Sequence, residues 1–230
     1  MPQTEMTCHS PATEQAPDGA TRIALIGSPN GGKTSIFNQL TGLHAKTGNY
    51  PGVTVSRSEG VARIHDHTFA IEDLPGTYSL SPISPDEQVV VDVLDGRMDQ
   101  VSAPDALVVV ADATALRRSL LLLAEVLPRH LPTAVVVTMT DELRRRQGSL
   151  DVTALSQALG VPVVAVVANR GIGIGELRNL LTTWHDWDRP PLDPPSRSSE
   201  LAGWVDSVLD TAGYEDPDPD SRTERIDKVL

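Results

Sequence analysis

Short apolar runs alternate with longer stretches of helical spacing along this chain. Runs rich in β-branched residues at 23–26, 69–74, 106–110, 134–138 and 161–167 predict strands. Between them, the polar and apolar spacing predicts helices over 33–40, 85–94, 115–127, 151–159 and 173–184. Asp151 reads as an N-cap, and Gly160, just before Val161-Pro162, reads as a helix stop. Residues 53–64 predict an extra strand whose short turn into His67 makes a hairpin. The expected fold is therefore α/β, a mainly parallel six-stranded sheet with helices on both faces.

This pattern holds over residues 21–187, the predicted nucleotide-binding domain. Residues 1–20 are polar, with almost no apolar anchors, and predict a disordered tail. Its Cys8-His9 pair supplies only two metal ligands, too few for a built site. A proline-rich stretch after Trp187 marks a boundary, and 188–230 is expected to be a short helical appendage. That appendage contains a predicted helix at 199–210, an acidic loop and a last segment at 221–230.

Composition narrows the function classes. A chain of 230 residues, 40% hydrophobic, holds one full α/β domain and an appendage, not two enzyme domains. A formal charge of -12 disfavours nucleic acid and anionic membrane surfaces as partners, so any nucleotide must be held by a local device. A single cysteine excludes an internal disulfide framework and fits a reducing cytoplasm. The apolar runs at 107–111, 120–124 and 161–168 fall short of the roughly 18 to 20 residues that cross a bilayer, and the N-terminus lacks a basic start followed by an apolar stretch. The expectation is a soluble chain without membrane spans or a signal peptide.

The local device is Gly27-Ser28-Pro29-Asn30-Gly31-Gly32-Lys33-Thr34, which matches G-x-x-x-x-G-K-T between a predicted strand and a predicted helix. In such a loop successive backbone N–H groups wrap a β-phosphate and the helix N-terminus adds positive potential. Lys33 reaches the β- and γ-phosphates, and the Thr34 hydroxyl ligates Mg²⁺, with Ser35 following on the helix. About 40 residues on, Asp73-Leu74-Pro75-Gly76 ends a strand, where Asp73 would hold Mg²⁺ through water and the Gly76 N–H would touch a γ-phosphate. Between them, Asn49-Tyr50-Pro51-Gly52-Val53-Thr54 is a candidate switch whose Thr54 completes the Mg²⁺ shell only with a γ-phosphate present.

Base recognition is expected at the later strand ends. Asp141, in Thr138-Met139-Thr140-Asp141, would accept two hydrogen bonds from guanine N1 and N2, a pair adenine does not offer. The usual guanine motif is N-K-x-D, so Thr138 replaces the asparagine and predicts a weaker brace. Val167-Ala168-Asn169 stands where Ser-Ala-Lys is usual, leaving the Ala168 N–H for guanine O6. GTP or GDP with Mg²⁺ is the expected ligand, and GTP hydrolysis the expected activity. His65 and His67 sit beside the predicted hairpin and read as a solvated turn rather than an iron site.

With these motifs in place, the chain resembles the cytosolic N-terminal G-domain of the bacterial ferrous iron transporter B family, a Ras-like P-loop GTPase domain. The resemblance rests on long strings from Gly27 to Gly42, from Gly48 to Val55, from Asp73 to Leu80 and over Ser84-Pro85-Asp86-Glu87. Arg225 to Leu230 also resembles the family's segment before its first membrane helix. It implies a GTP-dependent switch on the cytoplasmic face of the bacterial inner membrane, attached to the transmembrane portion of an Fe²⁺ transporter, with the oligomeric state open. It also implies that Asn30 helps bind K⁺ beside the phosphates, so that Asn30, Lys33, Thr54 and Gly76 carry hydrolysis. Thr77 occupies the place of the water-orienting glutamine in Ras-like proteins, which implies slow turnover. The region of this family that stabilises bound GDP is reduced here to 188–230. Two other readings compete: a free-standing K⁺-dependent GTPase of the ribosome-assembly or tRNA-modification kind, disfavoured by the acidic charge, and a nucleotide-binding module that has lost hydrolysis.

Overall fold

A computed structural model describes residues 17–219 except 18, 44 and 191. The tail carrying Cys8 and His9 and the predicted 221–230 segment lie outside the described residues. The sheet has seven strands in the order β2-β3-β4-β1-β5-β6-β7. These are β1 (Thr21–Gly27), β2 (Ala45–Asn49), β3 (Ser56–Ile64), β4 (His67–Asp73), β5 (Ala106–Asp112), β6 (Thr133–Thr138) and β7 (Val163–Ala165). β1 pairs in parallel with β4 and β5, and β5, β6 and β7 continue the parallel ladder, whereas β2 and β3 run antiparallel.

The predicted count of six misses β2. Its sequence, Ala-Lys-Thr-Gly-Asn, pairs with β3 at the sheet edge while four of its five residues stay exposed, so no burial pattern marks it. By contrast, β5 and β6 are buried on both faces and read as near-continuous apolar runs, as parallel strands must. The hairpin between β3 and β4 closes at Ile64 and His67, with His65 at φ 51° in the turn. His65 is exposed and contacts Asn179 at 3.2 Å, and His67 stacks on Phe69.

The helices are α1 (Lys33–Thr41), α2 (Pro85–Leu94), α3 (Leu116–Val126), α4 (Thr140–Arg145), α5 (Val152–Leu159), α6 (Ile174–Thr182) and α7 (Ser198–Thr211). Helix α4 was not expected. It is six residues long and begins directly in the base-recognition loop, too short for a periodic signal. The strand predicted at 161–167 contracts to three residues, and the helix predicted at 173–184 ends at Thr182. Asp151 caps α5, accepting from Thr153 N and Ala154 N at 2.9 and 3.0 Å, and Gly160 ends it at φ 66°.

Strand alternation separates two cores. Ile23 and Leu25 of β1 face Ile36, Phe37 and Leu40 of α1 and Leu177 and Leu181 of α6. Ala24 and Ile26 face the opposite layer of α2, α3, α5 and α7. Helix α7 joins that layer through Val205, Val208 and Leu209, and Tyr214 donates to the Ala113 carbonyl at 3.0 Å. The parallel strands thus deliver the ends of β1, β4, β5 and β6 to one side of the sheet, where the loops gather.

Candidate functional site

Loops that leave the C-terminal ends of the parallel strands β1, β4, β6 and β7 line the candidate site. After β1, Gly27 is buried so closely that a Cβ there would meet the Val110 carbonyl oxygen at 2.5 Å. The chain then turns over Ser28 to Gly32. The Gly31 N–H donates to the Ser28 carbonyl at 3.2 Å, Asn30 sits exposed at φ 64°, and Gly32 at φ 86° opens α1. That left-handed Gly32 packs under the Thr138 methyl, 3.4 Å from where a Cβ would stand. Thr34 and Ser35 are exposed in the first turn of α1.

Lys33 and Asp73 converge. Both side chains are more than nine-tenths buried, and the Lys33 ammonium is ion-paired with Asp73 Oδ1. Thr34 Oγ1 donates to the other carboxylate oxygen of Asp73 at 2.8 Å. Leu74 is fully buried and contributes its backbone, donating to the Leu25 carbonyl at 3.2 Å. Pro75 and Gly76 cross the phosphate loop so tightly that a Cβ on Gly76 would lie 2.9 to 3.0 Å from Pro29 atoms. Thr77 is fully buried, and its hydroxyl donates to the Ser79 carbonyl at 2.6 Å.

The switch segment is a short tongue. Tyr50 and Val55 are buried and joined by a Tyr50 N–H to Val55 carbonyl bond of 3.0 Å, while Gly52, Val53 and Thr54 between them are exposed. Thr54, Lys33, Asp73, Pro75 and Gly76 line one cavity of about 540 Å³, together with Asp86 and Glu87. The wall of this cavity thus carries three carboxylates against the one ammonium of Lys33, and a polyphosphate entering would be repelled unless cations came with it. A hydroxyl beside a carboxylate is a hard oxygen donor set that suits Mg²⁺. Among the described residues no three His, Cys, Asp or Glu side chains form a ready metal cluster. A cation here would therefore draw ligands from hydroxyls and from the nucleotide as well.

A second cavity, of about 320 Å³, is lined by Gly32, Ser35, Thr138, Met139, Asp141, Val167, Ala168 and Asn169. It opens from the same phosphate loop, since Gly32 and Ser35 lie on its wall. Met139 turns the chain at φ 57°, and Gln39 of α1 holds the opposite loop by donating to the Ala168 carbonyl at 2.9 Å. The two cavities lie on either flank of the start of α1.

Lining residues with no role assigned from the sequence include Tyr78, Asp86 and Glu87, which lie within the strings that carry the family resemblance, and Glu142, which does not. Tyr78 lies under the Arg118 guanidinium at 4.8 Å. One sequence signal was available: Ser84-x-x-Glu87 has the spacing of a capping box, and Ser84 accepts from the Glu87 N–H at 3.3 Å, while the Glu87 carboxylate reaches one residue past the cap to accept from the Ile83 N–H at 2.9 Å.

Comparison with known proteins adds to this geometry. A family model described as ferrous iron transport protein B matches residues 21–181. The chain is 45% identical over 197 residues to the Fe(2+) transporter FeoB of Salmonella choleraesuis, an alignment covering 84% of this chain and 24% of that protein. It is similar to the crystal structure of the G domain of the T. maritima FeoB iron transporter, with a TM-score of 0.65 and 37% identity, covering 73% of this chain and 99% of that one. A GDP-bound S. thermophilus NFeoB variant aligns with a TM-score of 0.64 and 40% identity over 73% of this chain and 62% of that one. The chain spans about a fifth to a quarter of the length of the curated relatives it matches. Among the described residues no helix is long and apolar enough to cross a membrane.

Proposed function

Because this chain belongs to the ferrous iron transport protein B family, we propose that it is a guanine-nucleotide switch that binds GTP and hydrolyses it slowly. The observation that carries the reading is the convergence of Lys33 and Thr34 on Asp73 beside one cavity, with Asp141 and Ala168 lining a second cavity across the start of α1. Phosphates would lie against the backbone N–H groups of residues 27–34 and the Lys33 ammonium. Guanine would lie against Asp141, Met139, Ala168 and Asn169. Residues 21–187 would form the nucleotide-binding domain, with helix α7 (Ser198–Thr211) in the region beyond it.

Thr34 and Asp73, joined by Thr54 when a γ-phosphate is present, would hold Mg²⁺, which would supply charge neutralisation at the phosphates. The exposed Asn30 would help hold a K⁺ ion, adding positive charge beside the β- and γ-phosphates in place of an arginine. Thr77 cannot orient a water, because its hydroxyl is buried and committed to Ser79. Positioning then falls to Thr54 and the Gly76 backbone, which supports a slow reaction. Within a full-length protein this switch would sit on the cytoplasmic face of the membrane and regulate or drive Fe²⁺ uptake by the attached transmembrane portion. The family match weighs against a free-standing ribosome-assembly enzyme.

Titration with fluorescent GDP, GTP and ATP analogues in Mg²⁺ tests the reading. Guanine preference that falls on Asp141→Ala supports it, and equal affinity for adenine and guanine nucleotides contradicts it.

A further inference from the structure

Glu72 is a buried carboxylate, 4% exposed, next in the chain to Asp73, yet it lines neither cavity. Its side chain lies on the face of β4 opposite to Ile71, with the core that contains Tyr50. One oxygen, Oε1, accepts from the Tyr50 hydroxyl at 2.9 Å and from Arg57 Nε at 2.8 Å. The other, Oε2, accepts from an Arg22 guanidinium nitrogen at 3.3 Å. Glu59 completes the cluster, pairing with Arg57 and with Arg22 at 3.2 Å. Two arginines and two glutamates therefore balance, and the Arg57 guanidinium lies 5.8 Å from the Tyr50 ring centre. Burial, then the Glu72 charge, push the Tyr50 hydroxyl far above its ordinary range, so it stays a donor.

Such a cluster is more than the core requires, since a Phe at 50 would fill the same space. Tyr50 is also the first residue of the tongue, whose exposed tip bears Thr54 and whose other base, Val55, is bonded to Tyr50. Glu72 is thus held by Tyr50 through its side chain and by Asp73 through its backbone. The Tyr50 to Glu72 bond and the β3–β4 ladder, which sets Ser58 opposite Asp73, together fix the spacing between the Thr54 tongue and the Asp73 carboxylate.

We infer that Tyr50, Glu72 and Arg57 are positioning residues that hold the Thr54 tongue in reach of Asp73, and so favour binding of a nucleoside triphosphate over a diphosphate. The inference rests on the nucleotide-switch reading of the site. Thr54 contributes only with a γ-phosphate present, so loosening the tongue weakens triphosphate binding and leaves diphosphate binding alone. Loss of general packing would weaken both.

The test is equilibrium titration of the full chain and its Tyr50→Phe variant with fluorescent GDP and a fluorescent non-hydrolysable GTP analogue in Mg²⁺, with thermal unfolding as a fold check. Arg57→Gln serves as the second variant, because it removes the other donor to the same oxygen without touching the tongue's own sequence. Expected is a loss of roughly fivefold or more in affinity for the GTP analogue, with GDP affinity held within about twofold, in either folded variant. An unchanged affinity ratio between the two nucleotides, in variants of a chain that binds both, overturns the inference alone. An unaltered chain that binds neither nucleotide overturns the parent reading and the inference with it.

Discussion

The Thr138 hydroxyl, at the end of β6, donates to the Gly31 carbonyl of the phosphate loop at 2.7 Å. The contact ties the loop after β6 to the loop after β1 across 107 residues of sequence. A hydroxyl has one proton, and the Ala111 carbonyl competes for it at 3.2 Å. An asparagine amide would bring two donors. Thr138→Val keeps the shape, removes the proton and leaves the buried Gly31 carbonyl without this partner. The expected result is a loss of about 1 kcal/mol in unfolding free energy by urea titration, with weaker binding of fluorescent GDP.

Lys33 and Asp73 neutralise each other in a nearly dry setting. Removing one leaves the other charged and buried, so Lys33→Ala should destabilise the nucleotide-free chain by about 3 kcal/mol. The Lys33→Ala/Asp73→Ala double variant should lose distinctly less than the sum of the two single variants. Urea unfolding of all four proteins measures the coupling, and strict additivity would show that the pair contributes nothing.

Gly76 has no room for a side chain. A Cβ would stand 3.0 Å from the Pro29 nitrogen and Cα, backbone atoms that cannot rotate away. Gly76→Ala must therefore shift the phosphate loop or the segment after Asp73. The chain should keep its far-ultraviolet circular dichroism, yet lose GTP turnover by tenfold or more, on the order of 1.4 kcal/mol at the transition state. Wild-type turnover in this variant would mean that the close approach has no functional role.

Tyr214 links the segment after α7 to the strand-end loop after β5. Burial, followed by the nearby Asp216 charge, pushes its hydroxyl up to about 12. A raised value in the folded state favours the neutral form, so the contribution is complete below the ordinary tyrosine value of 10.0 and is lost as pH climbs from there through about 12. Tyr50 shifts in the same direction. Unfolding free energy should fall over that alkaline window, and Tyr214→Phe should flatten part of the fall while costing about 1 kcal/mol near neutrality.

The central strands and the phosphate loop were legible in the sequence because both are local. Ile23 to Ile26 must be apolar on both faces, and Gly27 to Thr34 must fit a strand-to-helix turn within eight residues. Strand β2 was not legible, since Ala45–Asn49 buries almost nothing and is defined only by its pairing with β3. Helix α4 gave no period because it is shorter than two turns. Side-chain networks that cross the fold were equally hidden. Neither the Tyr50 to Glu72 bond nor the grip of Glu125 on the Ser79 hydroxyl and the Leu80 N–H can be read from spacing. The first depends on how the β2–β3 connection meets β4, and the second on how α3 meets the segment after β4, once packing is complete.

Phosphate release from GTP is to be followed in Mg²⁺ with either K⁺ or Na⁺ as the monovalent cation. Slow release is expected that is faster in K⁺, with ATP left intact and the K⁺ advantage lost in Asn30→Ala. Release no faster than in protein-free buffer would contradict the hydrolysing switch, and equal rates in the two salts would contradict the role given to Asn30.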